Sequence, residues 1–125
     1  MYYPHQRGTQ TERSACEFLQ AEGLQLIERN FSCKAGEIDL IMQHRSVIAP
    51  QILVLVEVRY RRSQRYGGAA ASVSPAKQQR LRRAAQYFCQ THKRYATWPM
   101  RFDVIAIRGG TDNLQITWLK SAFEC

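Results

Sequence analysis

Between Val58 and Phe102 the sequence contains no aspartate and no glutamate. That stretch instead carries Arg59, Arg61, Arg62, Arg65, Lys77, Arg80, Arg82, Arg83, Lys93, Arg94 and Arg101. Such one-sided charge attracts polyanions and favours phosphate contacts. Long apolar runs are also missing. None approaches the ~20 residues a membrane-spanning helix needs, so no membrane partner is expected. Met1 to Gln10 is polar and lacks an apolar signal region, which makes the cytoplasm the expected location. Histidine is scarce: His5, His44 and His92 are scattered without metal-ligand spacing. The four cysteines, Cys16, Cys33, Cys89 and Cys125, form no C-x-x-C pair. Zinc knuckles, thioredoxin-like redox motifs and Cys–His nucleophiles are thereby set aside. Reduced, structural cysteines are the expectation in a cytoplasmic chain.

What is present fits one globular domain over residues 1–125. Apolar residues make up 45% of the chain and the net charge is +8. Thr9 to Glu22 reads as a helix, capped by Thr9 or Thr11 and ended by Gly23. Glu12, Ala15, Cys16 and Leu19 share its inward face by i, i+3, i+4, i+7 spacing. Leu24 to Phe31 reads as a strand and Ser32 to Gly36 as a turn. Glu37 to Met42 is a short strand. The two-residue period puts Glu37, Asp39 and Ile41 on one face and Ile38, Leu40 and Met42 on the other. Gln43 to Gln51 is a loop. Ile52 to Arg61 is a central strand, apolar on both faces, with Leu53, Leu55, Glu57, Arg59 and Arg61 on one of them. Arg62 to Ser74 is a loop. Ser74 caps a second helix that has Pro75 in its first turn, runs to about Thr91, and turns Leu81, Ala84, Ala85 and Phe88 inward. Strands at Arg101 to Ile107 and Leu114 to Leu119 complete the order α-β-β-β-α-β-β. The fold class is therefore α/β (α+β mixed), a mixed sheet flanked by helices.

Asp39 and Glu57 interrupt strands that otherwise build a core. A buried charge costs several kcal/mol unless a partner or metal compensates it. If their strands pair, both side chains project from one sheet face a few Å apart. Like charges that close repel unless a cation lies between them. A hard divalent ion takes one or two carboxylates and contacts phosphate oxygens. Glu12, inward on the first helix, offers a third carboxylate. The competing reading pairs Glu57 with Arg59 or Arg61, and Asp39 with a nearby base, as structural ion pairs.

The segments G-E-I-D-L-I at Gly36–Ile41 and V-E-V-R-Y-R at Val56–Arg61 resemble the YraN family of small bacterial proteins. Gly8, Glu12, Ala15, Leu19 and Gly23 fit its N-terminal pattern. Lys77, Arg80, Leu81 and Ala85 fit its second helix, and R-F-D-V-I at Arg101–Ile105 its late strand. The resemblance implies a restriction-endonuclease-like core akin to Holliday junction resolvases. Its site would consist of Glu12, Asp39, Glu57 and Arg59, with Glu12, Asp39 and Glu57 as ligands of Mg²⁺ or Mn²⁺. It implies hydrolysis of DNA phosphodiester bonds, on branched DNA in particular, by a homodimer. Glu37 also aligns, as a supporting or structural residue. Arg61, Arg62, Arg65, Lys77, Arg80 and Arg83 would contact nucleic acid, and Tyr60, Tyr66 and Tyr87 are candidates for stacking on bases. The superfamily usually has lysine where this chain has Arg59, and arginine, unlike lysine, does not give up its proton. That departure keeps a second function open, a nucleic-acid-binding module with a degenerate site. An adaptor that binds an acidic protein through the same arginines is a third. Asp103 is expected to be structural.

Overall fold

The computed structural model describes residues 4–45, 51–61, 73–109 and 113–125. Helix α1 spans Pro4–Ala21 and helix α2 Pro75–Thr91. The strands are β1 (Gln25–Cys33), β2 (Gly36–His44), β3 (Ile52–Arg61), β4 (Met100–Arg108) and β5 (Gln115–Phe123). A short 3₁₀ turn, Lys93–Tyr95, leads from α2 toward β4. The element order is the one the sequence predicts.

Helix α1 begins at Pro4, not Thr9, so neither Thr9 nor Thr11 is its cap. Proline suits a first helical turn because its amide would be unpaired there in any case. At the other end Gly23 adopts φ +99°, and the Gly23 and Leu24 amides return to Gln20 and Leu19. This closes the helix as a left-handed C-cap does. Helix α2 starts as predicted. Ser74 Oγ accepts the Lys77 amide at 3.1 Å, and Pro75 follows the cap.

The strands form one sheet in the order β1-β2-β3-β4-β5. Only β3 and β4 run parallel, and their connection carries α2 across one face of the sheet. Leu81, Ala84, Ala85 and Phe88 pack there against Leu53, Leu55, Phe102 and Val104. On the opposite face Ala15, Cys16 and Leu19 of α1 pack against Leu40, Met42, Val54, Val56 and Ile105. This two-layered cover of a mixed sheet is the restriction-endonuclease-like core that the resemblance implied.

One face assignment changes. Ile38 packs in the α2-side cluster with Ile41, while Leu40 and Met42 pack on the α1 side. Strict alternation therefore fails between Ile38 and Ile41. The break falls between the β1–β2 pairs Phe31–Ile38 and Arg29–Leu40, where Asn30 takes φ +52° on the facing strand. Left-handed residues rotate the strand locally and re-aim its side chains. β5 also runs further than predicted, to Phe123.

Candidate functional site

The site forms where the sheet forks. The β2–β3 ladder runs from His44–Ile52 to Leu40–Val56. Beyond that, the Gly36–Ile38 part of β2 stays with β1, and the Glu57–Arg61 part of β3 stays with β4. One further step of the β2–β3 register would set Asp39 opposite Glu57. Instead Asp39 Oδ2 accepts the Val58 amide at 2.8 Å, so a side chain takes the place of the ladder. At this opening Glu12 from the α1 layer and Lys77 from the α2 layer both approach the strand carboxylates.

Four carboxylates converge there. Single oxygens of Glu12, Glu37 and Asp39 lie within 4.8 Å of one another. The Glu57 carboxyl neighbours Asp39 and opposes its ionisation. Glu57 is 5% exposed, Glu12 and Asp39 are half-buried, and Glu37 is exposed. Glu12 stands one helical turn before Ala15 and Cys16, which are fully buried, so the packing of α1 aims it at the fork. Its side chain also hydrogen-bonds Asn30. Gly36 opens β2 at φ +155°, where an L side chain is strained. That conformation places Glu37 and Asp39 directly after the turn.

The electrostatics follow from this crowding. Burial, then the hydrogen bond and the charge of Glu57, push the Asp39 carboxyl up from its usual 3.8 to about 8, against the lowering effect of the Val58 amide. Glu12 is raised as well, chiefly by burial, with Glu37 adding to the rise and the Asn30 hydrogen bond opposing it. A carboxylate is harder to ionise beside others, and a bound cation reverses that preference. The donor set is all oxygen, from short and medium-length carboxylate side chains on three elements. It suits a hard divalent ion such as Mg²⁺ or Mn²⁺.

The cations are arranged differently from the sequence expectation. Lys77 Nζ, on α2, lies 2.5 Å from Glu57 Oε2, whereas Arg59 Nε lies 4.0 Å from the same oxygen. Lys77 thus stands beside the carboxylate cluster, with its side chain part-exposed. Arg80 lines the same cleft of about 310 Å³ with Glu37, Asp39, Glu57 and Lys77. Arg83 lies in a separate, larger groove of about 660 Å³ beside Lys34 and the exposed Tyr87, lined by no carboxylate. Arg62, Arg65 and Tyr66 fall outside the described residues, as does the side chain of Arg61 at the end of β3. Tyr60 donates its hydroxyl to the Gly109 carbonyl at 2.7 Å, a structural use of that ring.

The expected set Glu12, Asp39, Glu57 and Arg59 is brought together. Glu37, given only a supporting part by the sequence, stands among the converging oxygens; its i, i+2 spacing from Asp39 was the available signal. Asn30 carried no signal, since its contact with Glu12 depends on a left-handed conformation within a strand. Among the described residues no helix is long and apolar enough to cross a membrane.

Comparison with known proteins gives these residues a family. The chain is similar to a UPF0102 protein of Nitrosococcus oceani, 49% identical over 94% of this chain and 91% of that protein. A UPF0102 protein of Stutzerimonas stutzeri is 45% identical over 94% and 93%, and one of Pseudomonas putida 43% identical over 98% and 95%. The model of the uncharacterised protein family UPF0102 matches residues 11–107, a span that holds Glu12, Glu37, Asp39, Glu57 and Lys77. With helix α2, the later part of α1, the forked strands and the clustered carboxylates inside that match, the chain belongs to UPF0102, the YraN family.

Proposed function

We propose that this protein is a metal-dependent endonuclease that hydrolyses phosphodiester bonds of DNA, branched DNA in particular. The observation that carries the reading is the fork itself. Carboxylates from α1, β2 and β3 crowd together there, and burial, reinforced by the neighbouring Glu57, raises Asp39 to about 8. Such an arrangement is unfavourable unless a cation completes it. Glu12, Glu37 and Asp39 would hold a divalent ion, with Glu57 beside them. When bound, the ion supplies Lewis acidity toward phosphate oxygens and water.

The chain's own groups do the rest. Glu57 is held in place by Lys77 and, at longer range, Arg59, and presents its carboxyl at the cleft wall. Arg80 at the rim offers a charge-assisted donor to the DNA backbone. The acid-free segment from Val58 to Phe102 supplies the long-range attraction to a polyanion. A homodimer belongs to this reading, because paired cuts in two strands need two centres; light scattering of the purified chain checks it.

The decisive experiment is cleavage of plasmid and four-way-junction DNA in Mg²⁺ or Mn²⁺. Wild type is expected to cut, and Asp39→Ala to lose roughly 10³-fold or more in rate, the scale of a lost metal-centre interaction. Equal behaviour of the two proteins on every substrate would falsify the catalytic reading. Arg59 favours the second reading, a degenerate site that binds without cutting. Salt-sensitive binding with no cleavage by wild type is its signature.

A further inference from the structure

We infer that Lys77, carried on α2, is the cation of this centre that meets the scissile phosphate, in the place the strand motif leaves to Arg59. The inference rests on the phosphodiesterase reading above and assigns one residue within it. Three observations carry it. The Lys77 ammonium lies 2.5 Å from Glu57 Oε2, closer than the Arg59 Nε at 4.0 Å. The side chain of Glu57 is 6% exposed and that of Arg59 16%, while that of Lys77 is 36% exposed. Lys77 therefore spans from the buried carboxylate to the open cleft, and Arg59 is the deeper of the two cations. The third observation is the rigidity of its base. Ser74 Oγ holds the Lys77 amide at 3.1 Å and Pro75 sets the first turn, so the side chain departs from a fixed point.

An ammonium has three N–H donors. Glu57 takes one direction, and the cleft-facing side is placed to donate to a non-bridging phosphate oxygen. During hydrolysis the water oxygen forms a bond to phosphorus and the bond from phosphorus to the leaving sugar oxygen breaks. One water proton is released to solvent, and the leaving oxygen gains a proton to become a hydroxyl. Negative charge builds on the non-bridging oxygens as the phosphorus becomes five-coordinate. A fixed cation there stabilises that charge more than it stabilises the bound ground state. No proton passes through Lys77 in this step. An arginine on β3 then suffices to balance Glu57 from below, and the lysine that the superfamily keeps on the strand is supplied from the helix.

The test compares Lys77→Met, Lys77→Arg and Arg59→Met with wild type. Two quantities are read on the same labelled junction: the single-turnover cleavage rate in Mg²⁺, and the affinity without metal by fluorescence anisotropy. Lys77→Met is expected to lose about 100-fold or more in rate with affinity within about threefold, the pattern of a contact made in the transition state. Lys77→Arg should recover at least about tenfold of that loss, and Arg59→Met should lose less than about tenfold, since neither removes the charge that meets the phosphate. Cleavage by Lys77→Met within about tenfold of wild type, or rate and affinity falling together as for a surface phosphate tether, overturns the assignment and leaves the nuclease reading standing. No cleavage by wild type on any substrate overturns that reading, and this inference with it. If Lys77→Met does not fold, Lys77→Gln, which keeps a donor to Glu57 without the charge, is judged by the same criteria.

Discussion

Two acids interrupt the core of this protein, and they are treated in opposite ways. Asp103 on β4 is fully buried and fully partnered. Arg101 donates to both of its oxygens at 2.9 Å, Trp118 Nε1 donates at 2.9 Å, and the Ser121 amide donates at 3.0 Å. Ser121 adopts φ +51° at the place where its amide turns to the carboxylate. Asp39 on β2 has the Val58 amide, and its other neighbours include the carboxyls of Glu57 and Glu12. The fold thus spends four donor contacts on holding one carboxylate and crowds the other with its own kind. A satisfied buried charge fixes a strand pair; an under-compensated one keeps a place for a ligand. The sequence reading of Asp103 as structural agrees with this network.

The contrast can be broken most forcefully at Asp103. Asp103→Ala would strand the Arg101 guanidinium and the Trp118 indole N–H and remove the side-chain bonds from β4 to Trp118 and Ser121 of β5. A loss of about 3–5 kcal/mol is expected, read from urea unfolding. A loss under about 1 kcal/mol would remove the distinction drawn here between the two acids.

Asp39 should respond with the opposite sign. Its proton is held more tightly in the folded protein, at about 8, than at the usual 3.8 of an unfolded chain. Between those values the folded state binds more protons, so metal-free stability is highest at low pH and is lost as pH rises through that window. Asp39→Asn is expected to flatten the dependence and to stabilise the metal-free protein at pH 8 by about 1–3 kcal/mol, after discounting for solvent screening. Mg²⁺ at pH 8 should raise the melting temperature of wild type and leave that of Asp39→Asn nearly unchanged. Thermal scans at pH 5 and pH 8, with and without Mg²⁺, measure all of this. A wild-type curve rising toward pH 8 without metal would contradict the crowding argument.

The smallest effect sharpens the comparison from the helix side. Ser74→Ala removes the cap that holds the Lys77 amide and should cost about 1 kcal/mol, with Ser74→Asp recovering most of it. Chemical denaturation of the three proteins reads it. A cost near zero would mean that the first turn of α2 is held by packing and not by its cap.

Much of this was legible in the sequence, for identifiable reasons. Helix α2 announces itself through Ser74, Pro75 and the stripe Leu81, Ala84, Ala85 and Phe88, because cap chemistry and a 3.6-residue period are local properties. β3 reads as central because both its faces are apolar. Asp39 and Glu57 stand out because acids are costly inside such strands. The start of α1 is less legible, because Thr9 and Thr11 carry a cap signal while a proline further upstream opens the helix. Ile38 lies on the other face because alternation presumes a regular pleat, and the facing strand carries the left-handed Asn30 at that point.

The sequence by itself determined that Asp39 and Glu57 would be uncomfortable where they are, and that a long acid-free, arginine-rich segment would follow them. It determined the order of elements and the family pattern that ties these features together. Only the tertiary structure decided where β2 and β3 part company, because that depends on competing pairing with β1 and β4. The parting admits Glu12 from one helical layer and Lys77 from the other, and brings Glu37 in beside Asp39. Residues far apart in sequence and on opposite faces of a sheet meet at a fork. No periodicity along a single segment encodes that meeting.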